Sequence, residues 1–178
     1  MAQLQTKTSE RKSARPRGHL AAIRSLNVPR YMGTWYEIAK LPNRFERKCV
    51  SGARAEYQLQ ADGTIRVINY CKLSNGKTSK ASGVAKQIGH SNSPKLRVRF
   101  LPAWLSFLPR AWADYWVIDL DPEYQLAAVG EPKREYLWVL SRSKQVDPSK
   151  YWALVDRLAR KGYAVENLQL IEQPEEPI

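Results

Sequence analysis

The stretch AEYQLQADGTIRVIN, residues 55–69, indicates the fold class, because apolar and polar side chains alternate on both sides of a short turn. Alternation with a period of two is typical of a β-strand that has one buried and one solvated face. Between the two segments, Asp62 and Gly63 tolerate the positive φ angles of tight hairpin turns. The stretch therefore predicts two antiparallel strands with a dry face and a wet face.

The same pattern extends on both sides of this hairpin, in short segments rich in Val, Ile, Tyr and Trp that are separated by turn residues. Such spacing is typical of an antiparallel sandwich or barrel. Farther along, Asp147 and Pro148 are helix-starting residues and Gly162 is a helix-ending one, with an apolar stripe between them. We expect an all-β fold with one C-terminal α-helix packed outside the sheet and a last short strand near residues 165–171. The eight main strands are expected at residues 34–40, 50–59, 64–72, 80–89, 95–101, 114–120, 124–130 and 136–142.

The chain is basic, with a formal charge of +12 and a pI near 9.9. This charge first suggests nucleic acid or an anionic membrane as the partner. However, residues 1–30 hold seven of the cations against Glu10 alone, in a segment too polar to fold by itself. We therefore expect a disordered basic tail over residues 1–27, one domain over residues 28–173 and a disordered tail over residues 174–178.

Targeting segments are not evident in the sequence. No run approaches the ~20 apolar residues of a membrane-spanning helix. The longest apolar run near the N-terminus, residues 20–23, is shorter than the ~7 to 15 residues of a signal-peptide core. An unusual export route, a different start position and an intracellular location all stay open.

Three short motifs occur in order along the expected strands. GTWY at residues 33–36 enters the first strand, ADY at residues 113–115 leads into the sixth, and LSR at residues 140–142 ends the eighth. Together they resemble the three motifs of the lipocalin family, although that family usually has threonine where Ala113 stands. The resemblance covers residues 28–173 and is strongest to the bacterial outer-membrane and apolipoprotein D-like branch. It implies an eight-stranded antiparallel up-and-down barrel, open at one end.

The resemblance also implies roles for the motif residues. Trp35 should plug the closed end beside Gly33, with the guanidinium of Arg142 stacked across its indole, a contact worth ~0.5–2 kcal/mol. The family further implies binding, storage or transport of a lipid-like ligand, such as a lysophospholipid or fatty acid, for membrane maintenance. It implies a location in the periplasm or outer membrane, and neither enzymatic activity nor a cofactor.

The barrel interior decides whether a ligand can bind. Eight strands enclose a space that side chains can just fill or that holds one small ligand. Small residues beside aromatic ones favour a cavity, although the same alternation also permits a closed core. The expected lining consists of Ala39, Tyr57, Val67, Val98, Tyr115, Val117, Tyr136 and Trp138.

The segment FLPAWLSFLPRAW, residues 100–112, is unusually apolar for a connection between strands. An exposed apolar patch commonly marks an interface. In the lipocalin topology this connection lies at the open end, as a lid, a membrane wedge or a homodimer contact. The first strand connection lies at the same end, and its cations could meet a phosphate or carboxylate head group. The expected mouth residues are Arg44, Arg47, Trp104, Phe107, Arg110 and Trp112.

Cysteines and histidines are few. Cys49 and Cys71 stand at the outer ends of one hairpin, with Cys71 opposite about Gly52 in a simple register. A bulge would bring the two together, so both a disulfide and two free thiols stay open. His19 and His90 stand far apart, and we expect no metal site.

Other classes of function are weaker alternatives. Glu37, inward-facing by alternation with Trp35, is the carboxylate to consider for catalysis, but a buried acid is more often satisfied by a neighbouring Tyr or Arg. A basic β-barrel could bind nucleic acid through its outer arginines, yet the wet face shows no aromatic platform with basic flanks, so no nucleic acid is expected. An adhesive or scaffold protein would use residues 100–112.

Overall fold

The computed structural model describes residues 18–100 and 111–174. All eight expected strands and the C-terminal helix are present, with a short helix in front of them. The elements are α1 (Val28–Tyr31), β1 (Gly33–Lys40), β2 (Cys49–Leu59), β3 (Ile65–Leu73), β4 (Thr78–Gln87), β5 (Lys95–Arg99), β6 (Ala113–Leu120), β7 (Leu126–Gly130), β8 (Leu137–Ser141), α2 (Pro148–Arg160), a 3-10 turn (Val165–Asn167) and β9 (Gln169–Leu170).

The strands close into a barrel. Each strand from β2 to β7 pairs antiparallel with the next one along the chain, and β1 pairs with both β8 and β2. This double pairing leaves no free edge between β8 and β2, so the predicted up-and-down barrel is confirmed. The short β9 extends the sheet beside the end of β1, where Leu170 pairs with Ala39.

The helix α2 begins and ends where the sequence predicts. The Asp147 carboxylate accepts a hydrogen bond from Ser149 N at 2.7 Å, and Pro148 occupies the first turn. At the other end, Gly162 adopts a φ of +88°, which a residue without Cβ reaches at low cost. The buried side of α2 carries Leu154 and Leu158 and packs on the outside of the barrel.

Two apolar clusters share the barrel wall. The inner cluster fills the closed half of the barrel around Trp35, Val117 and Val129. The outer cluster lies between the wall and α2, and it includes Ile118 and Val139. Neighbouring residues of one strand therefore belong to different clusters, as the strand period requires.

A β-bulge in β1 corrects the prediction for Ala39. The pairing of β1 with β8 shifts between Glu37 and Ala39, so two consecutive residues, Ile38 and Ala39, both contact the outer cluster. Ala39 therefore lies under α2 and not in the barrel lumen. Lys40 is the last residue of β1. Its side chain faces inward instead and is buried. Insertion of one residue exchanges the faces of all the residues that follow it.

Residues 18–27 also differ from the expectation of a disordered tail over residues 1–27. Leu20 and Leu26 are buried, and Ile23 N donates to the Val117 carbonyl at 3.0 Å. This segment has no regular secondary structure, so its packing leaves no periodic pattern in the sequence. Residues 1–17 and 175–178 lie outside the described residues.

The cysteines form a disulfide. Cys49 and Cys71 are bonded, with their Cα atoms 5.5 Å apart. The register of β2 against β3 shifts twice between Cys49 and Arg54, and Gly52 adopts a φ of +60° there. Of the two alternatives, the bonded one is correct, because this bulge shortens the distance that a simple register would leave.

Candidate ligand site

The closed end of the barrel is built around Trp35. Its indole is fully buried, and its Nε1 donates to the Tyr31 carbonyl at 2.8 Å. The Arg142 guanidinium lies 4.0 Å from the centre of the indole, so the predicted stacking is confirmed. The same guanidinium donates to the carbonyls of Thr34 at 2.8 Å and Arg30 at 2.9 Å, and thereby ties α1 and β1 to the end of β8.

Gly33 is required at this end for two reasons. Its φ of +94° lies in the region that favours glycine. A Cβ at this position would also lie 3.3 Å from Arg142 Nη1, which is close for a side chain already held by two carbonyls. Gly33 therefore lets the guanidinium approach the backbone.

Three tyrosine hydroxyls meet in the lower part of the lumen. The Tyr115 hydroxyl lies 2.9 Å from that of Tyr31 and 3.0 Å from that of Tyr57. Burial raises the pKa of Tyr57 to about 12, and burial likewise raises the pKa values of Tyr31 and Tyr115. All three therefore stay protonated at neutral pH and form a polar floor without charge. Tyr31 is missing from the predicted lining, because it precedes the first strand.

The solvent accessibility of the inward-facing residues increases from the closed end of the barrel to the open end. In the closed half, the inward residues Tyr57, Val67 and Val117 are buried. Val98 in the open half and Tyr115 at the floor keep part of their surface accessible although they face inward.

At the rim, Tyr136 stacks on Trp138 with ring centres 5.9 Å apart. Trp138 packs against the inner cluster, whereas Tyr136 also touches the exposed Phe45, at 5.5 Å between ring centres. Seven of the eight predicted lining residues are thus on the inner wall or its rim, and Ala39 is not.

A charged cluster lies on the wall of the open half. Lys40 Nζ is 2.6 Å from Glu46 Oε2 and 3.2 Å from Glu37 Oε1. Burial, and after it the negative charge of Glu46, raise the pKa of Glu37 to about 8 against the opposing effect of Lys40. Glu37 is therefore largely protonated at neutral pH.

The first strand connection holds Glu46 in place. The Asn43 side-chain oxygen accepts from Glu46 N at 3.1 Å, and the Asn43 amide donates to Glu46 Oε2 at 3.2 Å. Trp138 Nε1 donates to the other carboxylate oxygen, also at 3.2 Å. The sequence analysis missed Lys40 and Glu46, because only the bulge in β1 turns Lys40 towards the lumen.

The predicted mouth residues fall into three groups. Arg44 and Arg47 lie exposed in the connection from β1 to β2. Trp112 does not face the lumen: it lies on the outer wall, 4.4 Å from Lys86 Nζ and 4.9 Å from the Arg99 guanidinium. Its position follows from the alternation of β6, since Trp112 has the same parity as Asp114, which pairs with Arg97 outside. Trp104, Phe107 and Arg110 lie outside the described residues.

The outer wall of strands β2–β6 differs from expectation, because it does carry aromatic rings with basic flanks. The Tyr70 ring lies 4.2 Å from the Arg54 guanidinium, and the Trp116 ring lies 4.2 Å from Lys95 Nζ. Across this wall, eight cationic side chains accompany three acidic ones, Glu56, Asp114 and Asp119, the last of which pairs with Arg157 of α2. The cations are Arg54, Arg66, Lys72, Lys80, Lys86, Lys95, Arg97 and Arg99.

A second concave region lies outside the barrel. A groove of about 860 Å³ runs between α2 and the connection from β6 to β7, with Ile23 and Ile118 among its lining residues. Arg157 crosses it to the Asp119 carboxylate at 2.9 Å. The groove is open to solvent and separate from the lumen. Over the described ranges, no group of three potential ligands is placed to hold a metal ion.

Comparisons with known proteins agree with this geometry. The family model for the lipocalin-like domain matches residues 26–173. Temperature-induced lipocalin-1 of Arabidopsis thaliana is 42% identical over 160 residues, which cover 89% of this chain and 85% of the relative. The outer membrane lipoprotein Blc of Escherichia coli strain K12 is 34% identical with the same coverage.

More distant similarity extends to animal proteins. Apolipoprotein D of Mus musculus is 31% identical over 84% of this chain and 78% of its own length. Among solved structures, insecticyanin from the tobacco hornworm Manduca sexta superposes with a TM-score of 0.68 at 19% identity, covering 88% of this chain and 85% of that one. At this identity the likeness concerns the fold alone.

Proposed function

The chain belongs to the lipocalin family, and we propose that its barrel binds a lipid-like amphiphile such as a lysophospholipid or a fatty acid. Lipocalins bind small hydrophobic ligands and are typically not enzymes. The proposal adds the amphiphilic ligand class and its orientation to that family property. Storage or transport of such a ligand would serve the maintenance of a membrane.

The observation that carries the proposal is the accessible inner wall of the open half. Ala81 pairs with Asn69 and lies on the same face as the buried Val67, so it points into the barrel. Nevertheless Ala81 is exposed and Asn69 is half-buried. An inward residue can keep accessible surface only where the lumen is not filled by side chains. The acyl chain of a ligand would occupy this space.

The orientation follows from the charges at the two ends. The closed end holds the uncharged tyrosine hydroxyls, whereas the open end holds the exposed cations Arg44 and Arg47. A phosphate or carboxylate loses least hydration when it stays beside such cations at the rim. The ligand would therefore enter with its acyl chain first.

The test places a large side chain inside the barrel and compares it with its neighbour outside. Ala81→Phe should fill the open half and lower the affinity for a fluorescent fatty acid at least about tenfold, as expected for lost apolar contact. Ser82→Phe, one position along and on the outer face, is the matched control and should bind like the wild type. Circular dichroism checks that both variants fold.

Two results would contradict the proposal. One is a wild-type protein that does not bind the fluorescent fatty acid, or binds it in a way that lysophospholipid does not displace. The other is equal affinity in Ala81→Phe and wild type. Native mass spectrometry of the purified protein provides a second readout, in which a co-purified lipid supports the proposal and an empty dimer favours a scaffold.

We propose a location in the cell envelope. Relatives such as Blc of Escherichia coli are named outer membrane lipoproteins, and the disulfide between Cys49 and Cys71 is typical of an oxidising compartment. No helix in the described part of the chain is long and apolar enough to cross a membrane. Cell fractionation tests this location, and recovery of the oxidised protein from the cytosol would contradict it.

A second proposal concerns the basic outer wall of β2–β6, for which we infer an anionic membrane surface as partner. Cations with Tyr and Trp rings between them suit the head-group region, where the charges meet phosphates and the rings lie at the interface. The open end with Phe45 and Phe100 exposed adjoins this wall, so a ligand could pass between membrane and lumen.

Vesicle sedimentation tests this second proposal. Vesicles with phosphatidylglycerol should bind the protein at low salt and release it at high salt, whereas vesicles of phosphatidylcholine alone should not bind it. Arg66→Glu with Lys86→Glu should weaken binding, and Lys150→Glu with Lys161→Glu, in and directly after α2 and away from this wall, should weaken it less. No preference for anionic vesicles, with retention on duplex DNA, would favour the nucleic-acid alternative.

A further inference from the structure

The strongest unassigned feature of the lumen is an acceptor oxygen without a hydrogen bond. Glu37 is 6% exposed, and its Oε1 accepts no hydrogen bond from any described residue. Lys40 Nζ lies 3.2 Å away as an ion-pair partner, but it makes its short hydrogen bond, at 2.6 Å, to Glu46 Oε2. A buried polar atom in this state is costly unless a ligand supplies the missing partner.

Glu37 faces the lumen and not the outer wall. It precedes the bulge of β1, pairs with Leu140 of the inner cluster, and lies two residues after the buried Trp35. Its charge and that of Glu46 also raise the pKa of Tyr57, whose ring is part of the inner cluster. The carboxyl group thus lies between the tyrosine floor and the rim.

Small residues adjoin this carboxyl group on the neighbouring strand. Gln173 Nε2 donates to the carbonyls of Glu37 at 2.7 Å and Ala53 at 2.9 Å, so the two residues are direct neighbours across β1 and β2. The next inward residue of β2 is Ala55. Two methyl side chains therefore line the wall beside Glu37, where larger residues would cover it.

The cluster as a whole is close to neutral. Glu46 already accepts from Lys40, Asn43 and Trp138, so the single ammonium group is balanced by the Glu46 carboxylate. A ligand carboxylate would lose its hydration beside the Glu46 charge, and a ligand ammonium would lose its hydration for a neutral Glu37. A hydroxyl group fits both the protonated and the ionised form of Glu37, because it can donate to a carboxyl oxygen and can also accept from the carboxyl O–H.

We propose that Glu37 Oε1 accepts a hydrogen bond from an uncharged hydroxyl group of the bound amphiphile, just below the rim. A glycerol hydroxyl next to an acyl chain is the chemistry that fits, whether it comes from a monoacylglycerol or from a lysophospholipid. This inference rests on the proposed function, since it specifies the polar recognition inside the same lumen.

The experiment compares two neutral ligands with the same acyl chain. Monododecanoylglycerol carries free hydroxyls and methyl dodecanoate carries none, and each displaces the hydrocarbon probe diphenylhexatriene from the lumen. In the wild type we expect the glycerol ester to bind about three- to tenfold more tightly than the methyl ester, the range of one net hydrogen bond. Glu37→Val should remove this preference, and Glu37→Gln should retain most of it because the amide oxygen still accepts.

Glu56→Val is the matched control. Glu56 lies on the outer face of β2, so its replacement removes a carboxylate from the same barrel without touching the lumen. It should keep the wild-type ratio of the two affinities.

The possible outcomes distinguish a failure of the role of Glu37 from a failure of the proposed function. A wild type that does not bind the hydrocarbon probe overturns both. A wild type that binds the probe and both esters without preferring the hydroxyls overturns the role of Glu37 alone. The same holds if Glu37→Val keeps the preference. A wild type without the preference overturns the role of Glu37 even if Glu37→Val fails to fold.

Discussion

Replacement of Arg142 by methionine should lower the free energy of unfolding by about 4 kcal/mol. The guanidinium makes hydrogen bonds of 2.8 Å and 2.9 Å to the carbonyls of Thr34 and Arg30. The site is partly exposed, so each bond is taken at the lower end of the range for charged groups, about 1.5 kcal/mol. The stacking on Trp35, at 4.0 Å, adds about 1 kcal/mol. Methionine fills much of the vacated volume, which keeps the cavity contribution small.

Arg142→Lys is the control that separates charge from geometry. A lysine keeps the positive charge near Trp35 but has a single nitrogen, which cannot reach both carbonyls as the planar guanidinium does. It should therefore lose about half as much stability, about 2 kcal/mol.

Urea unfolding followed by tryptophan fluorescence measures both variants. With a slope of about 2 kcal/mol/M, the midpoint of Arg142→Met should fall by about 2 M. A loss below about 1 kcal/mol in Arg142→Met would refute the reasoning, because it would mean that the carbonyls of α1 and β1 are satisfied equally well by water. A wild-type stability in Arg142→Lys would show that the paired hydrogen bonds contribute nothing beyond one contact, and equal losses in both variants would show that the retained charge contributes nothing.

Three further predictions concern other parts of the barrel. The disulfide spans a sequence separation of 22, so reduction should lower the free energy of unfolding by about 3 kcal/mol in the chain-entropy model. Urea unfolding with and without reductant measures this loss, and an unchanged midpoint would contradict it. Glu37 has a pKa raised by burial from 4.5 to about 8, so the folded protein holds a proton that the unfolded chain releases between these pH values. The contribution of this group to the free energy of unfolding should consequently be largest below pH 4.5 and fall towards pH 8. Glu37→Gln should flatten that fall in a series of unfolding curves. Identical curves for variant and wild type would contradict the inward burial of Glu37. Gly130→Ala should cost about 1–3 kcal/mol, since its Cβ would lie 2.0 Å from the buried Tyr163 hydroxyl. Gly18→Ala is the control, because a Cβ there would meet nothing within 4 Å, and a loss as large as that at Gly130 would contradict the packing argument.

Much of the candidate site could be predicted because it follows strand alternation. Tyr57, Val67 and Val117 lie inside as expected, in segments where the strand period runs without interruption. The contact of Arg142 with Trp35 was implied by the lipocalin motifs, and the structure adds the two carbonyls that hold the guanidinium.

The missed features depend on contacts between distant segments. Ala39 and Lys40 exchange faces because one extra residue enters β1 opposite β8, and no residue type in GTWYEIAK signals this insertion. The burial of Leu20 and Leu26 depends on surfaces offered by strands far along the chain. Trp112 was predicted as a mouth, lid or membrane-contact residue from the apolar character of its segment; its parity with Asp114 directs it to the outer wall, so it does not line the lumen and membrane contact stays a prediction.

The sequence by itself determined the eight strands, the outer helix and the closed end, since alternation, turn residues and helix caps act between near neighbours. Only the tertiary structure decided that Glu37, Lys40 and Glu46 meet on the wall of the lumen and that Cys49 reaches Cys71. Both results arise at bulges, where a shift of one residue in register moves side chains to the opposite face. The packing of the whole barrel selects that shift, so it leaves no local pattern.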